Sequence, residues 1–191
     1  MNLPPPSLEA SAHSRELVAA IGREITARGG WIPFARFMEL ALYAPGLGYY
    51  SAGARKFGAA GDFVTAPEMS AFFGRALARQ VAQVLEASQP LLLEVGAGSG
   101  RLAADLLREL EALGRLPERY EILDLSADLR ERQRATLAAA APHLLPRVHW
   151  LERLPEAFSG VVVANEVLDA MPAHAVAWRD DGIFERGVGL G

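Results

Sequence analysis

"LLLEVGAGSG", residues 91–100, is the stretch whose reading decides the fold. Its first half is an apolar run interrupted only by Glu94, the pattern of a strand buried on both faces. Its second half sets Gly96, Gly98 and Gly100 at alternate positions. Glycines belong where a chain turns sharply from strand to helix, or approaches a ligand with no Cβ in the way. A dinucleotide turn would read G-x-G-x-x-G, with its third glycine one position later. A tight turn without a ligand would use the same residues, so the loop alone leaves the ligand open.

Outward from this stretch the rhythm is strand and helix in alternation. A helix is expected over about 101–113, ended by Gly114. "YEILDL" reads as a strand, with Ser126 as N-cap of a helix reaching about residue 140. "RVHWL" and "GVVVAN" read as further strands, the latter followed by a brief helix stopped by Pro172. "HAVAWR" and "IFERGVGL" complete the series, joined by an Asp180–Asp181–Gly182 turn. Such alternation predicts an α/β fold with a mostly parallel, doubly wound sheet.

Before residue 89 the pattern is helical. Residues 1–10, with Pro4, Pro5 and Pro6, are expected to be a tail. Leu17, Ile21 and Ile25 recur at helical spacing, and a second helix opens at Pro33. A long helix is expected to turn Phe72, Phe73, Leu77, Val81 and either Val84 or Leu85 inward. The predicted organisation is a helical N-terminal lobe, 1–88, and a Rossmann-like domain, 89–191.

The spacing G-x-G-x-G, with an acid two residues earlier, resembles the first motif of class I S-adenosyl-L-methionine-dependent methyltransferases. That resemblance implies that the glycines pass the methionine moiety and that Glu94 helps orient the cofactor's amino end. Asp124 ends the next strand, where either cofactor class places a carboxylate for the ribose hydroxyls. Its plainer reading is a favourable charge near a helix N-terminus. In "GAAGDFVTAPEMS", Thr65 and Glu68 match the S/T-x-x-E capping box, and Asp62 reads as a turn residue. In "VVVANEVLDAMP", residues 161–172, Asn165 could cap a short helix carrying Glu166 and Asp169 on one face. Those acids would complement the helix dipole, or meet a substrate beyond the strand's carboxyl end.

Composition narrows the classes. There are no cysteines, which excludes disulfides, thiolate metal sites and cysteine nucleophiles. Net charge is −4, and residues 1–90 carry 8 basic and 7 acidic side chains against 11 and 16 in 91–191, so neither half offers a basic field for nucleic acid. No apolar run reaches the roughly 20 residues needed to cross a bilayer, so no membrane insertion is expected. The N-terminus reads as neither export nor transit signal, which predicts an intracellular, cytoplasmic protein. The four histidines show no metal-ligand spacing and no Ser-His-Asp arrangement.

"GDFVTAPEMSAFFG", "LLLEVGAGSGRLAADLL", "YEILDLSADLRERQ" and "VVVANEVLDAMPAHAV" together resemble, in order and distance, the MidA-type family. These S-adenosyl-L-methionine-dependent methyltransferases include the mitochondrial arginine methyltransferase that assists assembly of respiratory complex I. The resemblance covers about Phe37 to Trp178. It implies that Gly96, Gly98 and Gly100 line the cofactor loop, that Asp124 holds the ribose, and that Asp62, Thr65 and Glu68 lie over the pocket. It places Asn165, Glu166 and Asp169 at the pocket mouth, to meet the acceptor. Ala97 and Ser99 stand where many relatives have proline and arginine.

The resemblance implies a protein arginine as acceptor and a protein partner, a respiratory complex subunit among the candidates. A class I sheet has seven strands and family members are commonly about twice as long, so the C-terminal strands are expected to be missing. Two other readings stay open: a non-catalytic assembly or scaffold protein keeping the fold, and a nucleotide-cofactor oxidoreductase.

Overall fold

The computed structural model describes residues 5–51, 65–124 and 126–191. In chain order the first elements are α1 (Leu8–Ala27), β1 (Trp31–Pro33), α2 (Phe34–Tyr43), α3 (Ala66–Met69), α4 (Ala71–Ala87) and β2 (Leu91–Val95). Then come α5 (Arg101–Ala112), β3 (Arg119–Leu123), α6 (Ala127–Ala140), β4 (Val148–Leu151), β5 (Val161–Ala164), β6 (Ala175–Arg179) and β7 (Gly182–Gly189). They fall into two compact units whose boundary in the C-terminal half lies between Val167 and Leu168.

The central unit runs from α3 to Val167. Its sheet is parallel, in the order β4-β3-β2-β5. The chain winds outward from β2 through β3 to β4, then returns to β5 on the other side of β2. The winding therefore reverses between β2 and β5, the place where open α/β sheets hold ligands beyond their carboxyl ends. Leu92, Tyr120 and Ile122 of the sheet are fully buried with Leu106, Leu107 and Leu110 of α5. Each such aliphatic side chain stabilises the fold by about 1.5–3 kcal/mol relative to exposure.

Helix α4 belongs to this unit and not to an N-terminal lobe, so the units differ from a division at residue 88. Ala78, Val81, Ala82 and Leu85 bury one face of α4 in the core. Gly74 permits a close approach to α5, because a Cβ there would stand 2.7 Å from that of Asp105. The helix begins at Ser70, whose Oγ accepts from Phe72 N at 3.1 Å. That phase turns Leu85 in and Val84 out, and it leaves Phe72, expected inside, 77% exposed.

The other unit gathers α1, β1, α2 and the chain from Leu168 onward. Helix α1 starts inside the expected tail, at Leu8, because Ser7 Oγ accepts from Ala10 N. Strand β7 pairs antiparallel with both β1 and β6. The two C-terminal strands therefore do not extend the parallel sheet. They form a separate three-stranded sheet, with Ile32 of β1 and Val188 of β7 packed against Ile21 and Ile25. A further ion pair joins Arg36 to Glu24, N to O 3.0 Å.

Candidate functional site

At the carboxyl end of β2 the chain turns through three left-handed glycines, Gly96 (φ 68°), Gly98 (φ 53°) and Gly100 (φ 81°). The three face different surroundings. A Cβ on Gly100 would stand 2.9 Å from the Cα of Gln133, and one on Gly96 would stand 2.9 Å from Val167 Cγ2. A Cβ on Gly98 would meet nothing within 4 Å. The middle glycine thus borders open space, while its neighbours serve close packing.

Asp124 follows β3 directly and is 8% exposed. Its Oδ1 accepts from Ser126 N at 3.0 Å and its Oδ2 from Gln133 Nε2 at 2.8 Å. Each oxygen keeps further acceptor capacity. Ser126 is the N-cap of α6, its Oγ accepting from Leu129 N. Helix α6 sends three more side chains to the same end of the sheet. Arg130 donates to the carbonyls of Asp124 and Leu151, both at 2.7 Å. Gln133 donates to Gly98 O, and Thr136 donates to Ser99 O at 2.8 Å.

Glu94 is 2% exposed, and Tyr120 Oη donates to its Oε2 at 2.7 Å. Burial pushes its carboxyl up to about 7, opposed by the Tyr120 hydrogen bond and reinforced by the charge of Asp124. Burial, with Glu94 beside it, raises the Tyr120 phenol well above its ordinary range.

Glu68 does not complete a capping box. Thr65 occupies the N-cap position of α3 without a side-chain bond. The Glu68 carboxylate instead accepts from Ser99 Oγ, which joins α3 to the glycine loop. Asp62 lies outside the described residues.

The short helix expected after β5 is a single 3-10 turn, Leu168–Ala170. Glu166 is left-handed at φ 51° and starts no helix, so Glu166 and Asp169 share no helix face and Asn165 caps none. Asn165 is half-buried and Glu166 exposed, just past the end of β5. Asp169 belongs to the other unit, near Tyr43, whose hydroxyl donates to Ala170 O at 2.6 Å. Burial first, then the Asp169 charge, raises the Tyr43 pKa.

Gln133, Thr136 and Arg130 were not singled out by the sequence, and Ser99 only as a departure from the family's glycine loop. Gln133 closes the run "YEILDLSADLRERQ", yet a glutamine among arginines and glutamates reads as solvated. Among the described residues, no three His, Cys, Asp or Glu side chains cluster as a metal site, and no helix is long and apolar enough to cross a membrane.

A parallel sheet that reverses beside a glycine loop, with an acid at the next strand end, is the Rossmann-like arrangement that class I methyltransferases share with dinucleotide-binding folds. Residues 76–191 match the family described as "Putative S-adenosyl-L-methionine-dependent methyltransferase", and the chain belongs to that family. It is 55% identical to a Burkholderia thailandensis protein crystallised with S-adenosyl-homocysteine, with a TM-score of 0.87 over 100% of this chain and 50% of that one. Among curated proteins, it is 28% identical to the protein arginine methyltransferase NDUFAF7, mitochondrial, of Danio rerio, over 92% of this chain and 47% of that protein. The Mus musculus counterpart is 31% identical over 79% of this chain and 42% of its own length. The chain thus spans about half the length of these relatives. Their mitochondrial designation overturns the expectation of a cytoplasmic protein.

Proposed function

We propose that the protein binds S-adenosyl-L-methionine at the carboxyl ends of β2 and β3 and transfers its methyl group. The observation that carries this reading is the open ground in front of Gly98, flanked by the Asp124 carboxylate. The S-adenosyl-homocysteine bound by the Burkholderia thailandensis relative supports it.

When bound, the cofactor supplies an electrophilic methyl on a sulfonium. The chain's own work is positioning. Gly98 lets backbone approach the methionine part, Gly96 and Gly100 let the loop pack tightly behind it, and Asp124 accepts hydrogen bonds from the ribose. Glu68, held by Ser99, and Thr65 flank the loop, and Asp62 is assigned there by resemblance alone. Glu94, buried at the end of β2 just before the loop, is assigned to the cofactor's amino end by resemblance alone. In-line transfer needs the acceptor held on the methyl axis in a water-poor site.

We further propose a protein arginine as acceptor, in keeping with the names of the NDUFAF7 relatives. A guanidinium is gripped bidentately by a carboxylate, and Glu166, with Asn165 beside it, stands past the β5 end at the reversal point. The place of Asp169 in acceptor binding, and a respiratory complex subunit as partner, rest on the family resemblance alone.

Calorimetric titration with S-adenosyl-homocysteine and with NAD tests the cofactor, and uptake of S-adenosyl-homocysteine alone is expected. Transfer of labelled methyl to lysate proteins, compared with Glu166→Ala, tests the acceptor assignment. Unchanged transfer in the variant would overturn that assignment.

A further inference from the structure

Gln133 is fully buried, yet its side chain ends in a carboxamide that must be satisfied. It makes three hydrogen bonds. Trp150 Nε1 donates to its Oε1 at 2.9 Å. Its Nε2 donates to Gly98 O at 3.1 Å and to Asp124 Oδ2 at 2.8 Å. The chemistry of the partners fixes which end of the amide is which. An indole N–H can only donate, whereas a carbonyl and a carboxylate can only accept. The reverse orientation would break all three bonds.

From this we infer that Gln133 is a positioning residue for the cofactor site, holding the glycine loop and the Asp124 carboxylate at a set separation. The inference rests on the proposed cofactor reading and deepens it. One NH2 group binds both halves of the pocket, at the carbonyl of the glycine that borders open space and at the acid assigned to the ribose. Ser126 N holds the other Asp124 oxygen. The carboxylate is thereby fixed in plane before any ribose arrives, and its unused lone pairs are left for the two hydroxyls. Gly100 lacks a Cβ because the Gln133 backbone occupies that place, so loop and helix are matched on both sides. Glutamate at this position would set a carboxylate against Asp124 and Gly98 O. An aliphatic side chain would leave the buried acceptors short of a donor.

The test compares binding of S-adenosyl-homocysteine with that of its 2′,3′-dideoxy analogue, in wild type and Gln133→Met. A tuned ribose site makes the wild type prefer the diol by about tenfold or more. In Gln133→Met that preference is expected to collapse toward unity, while a merely structural role would lower the melting temperature and leave the ratio intact. An unchanged ratio in the folded variant overturns the proposal. Should Gln133→Met not fold, Trp150→Phe keeps an aromatic ring against the core and removes the donor that orients the amide, and is expected to lower the ratio by about threefold. An unchanged ratio there overturns the proposal equally. Absence of S-adenosyl-homocysteine binding in the wild type would instead sink the cofactor reading itself, and the positioning role with it.

Discussion

Tyr120 donates its hydroxyl to Glu94 across the join between β3 and β2, with both side chains sealed in the core. A buried carboxyl with a pKa near 7 has a definite sign in its effect on stability. Its folded pKa lies above the ordinary value of 4.5, so its contribution is fully present below that pH and is lost as pH rises through about 7. The difference is on the order of 3 kcal/mol. Glu94→Gln keeps an oxygen for Tyr120 and removes the titration. Urea midpoints at pH 5 and pH 8 are expected to fall more for wild type than for the variant. Equal falls would show that Glu94 does not titrate in this window.

The three loop glycines should respond unequally to alanine. Gly100→Ala drives a Cβ against the Gln133 backbone at a left-handed position, and is expected to cost about 1–3 kcal/mol. Gly98→Ala meets no atom and bears only the backbone cost of about 1–2 kcal/mol. It should nevertheless lose S-adenosyl-homocysteine binding, since its methyl enters the open ground. Thermal melts and titration on the same samples check both, and retained affinity in Gly98→Ala would count against a ligand there.

Glu166 holds a backbone angle that favours glycine. Glu166→Gly should stabilise the protein by up to about 1 kcal/mol, whereas Glu166→Gln should leave stability near wild type. Both should lower methyl transfer if the carboxylate grips the acceptor. A strained residue that stabilises when removed but is needed for activity marks a functional site. Denaturation and transfer assays on the pair would separate the two effects, and loss of stability in Glu166→Gly would refute the strain.

Two hydroxyl residues near α3 and α4 differ in what they hold. Ser70→Ala removes the cap on α4 and should cost about 1 kcal/mol. Thr65→Ala, which breaks no side-chain cap bond, should change stability by less than about 0.5 kcal/mol. Melting temperatures of the two variants give the comparison. A larger loss for Thr65→Ala would mean that its hydroxyl has a partner in solution.

Local chemistry made much of this legible in advance. The apolar run 91–95, the glycines after it and the Ser126 cap are short-range features, and each stands where its residues predict. Features set by distant partners were not legible. Gln133 looks solvated until β4 brings Trp150 to it. The left-handed backbone at Glu166 is one that its residue type does not announce. The three residues of β1 carry no period long enough to read, so the partner of β7 stayed hidden, although the turn joining the last two strands was legible. Phe72 looked like core because its helix phase depends on where Ser70 starts the turn.

Helix α6 presents most of its surface to solvent, yet the Ser126 amide and the side chains of Arg130, Gln133 and Thr136 each close a bond to a strand end or to the glycine loop. The helix therefore works as a ruler, and its length matters more than its composition. One residue inserted between Ser126 and Gln133 would rotate everything beyond it by about 100°. Glu131 and Arg132, exposed on the outer face, can be exchanged at little cost; the number of residues cannot be changed.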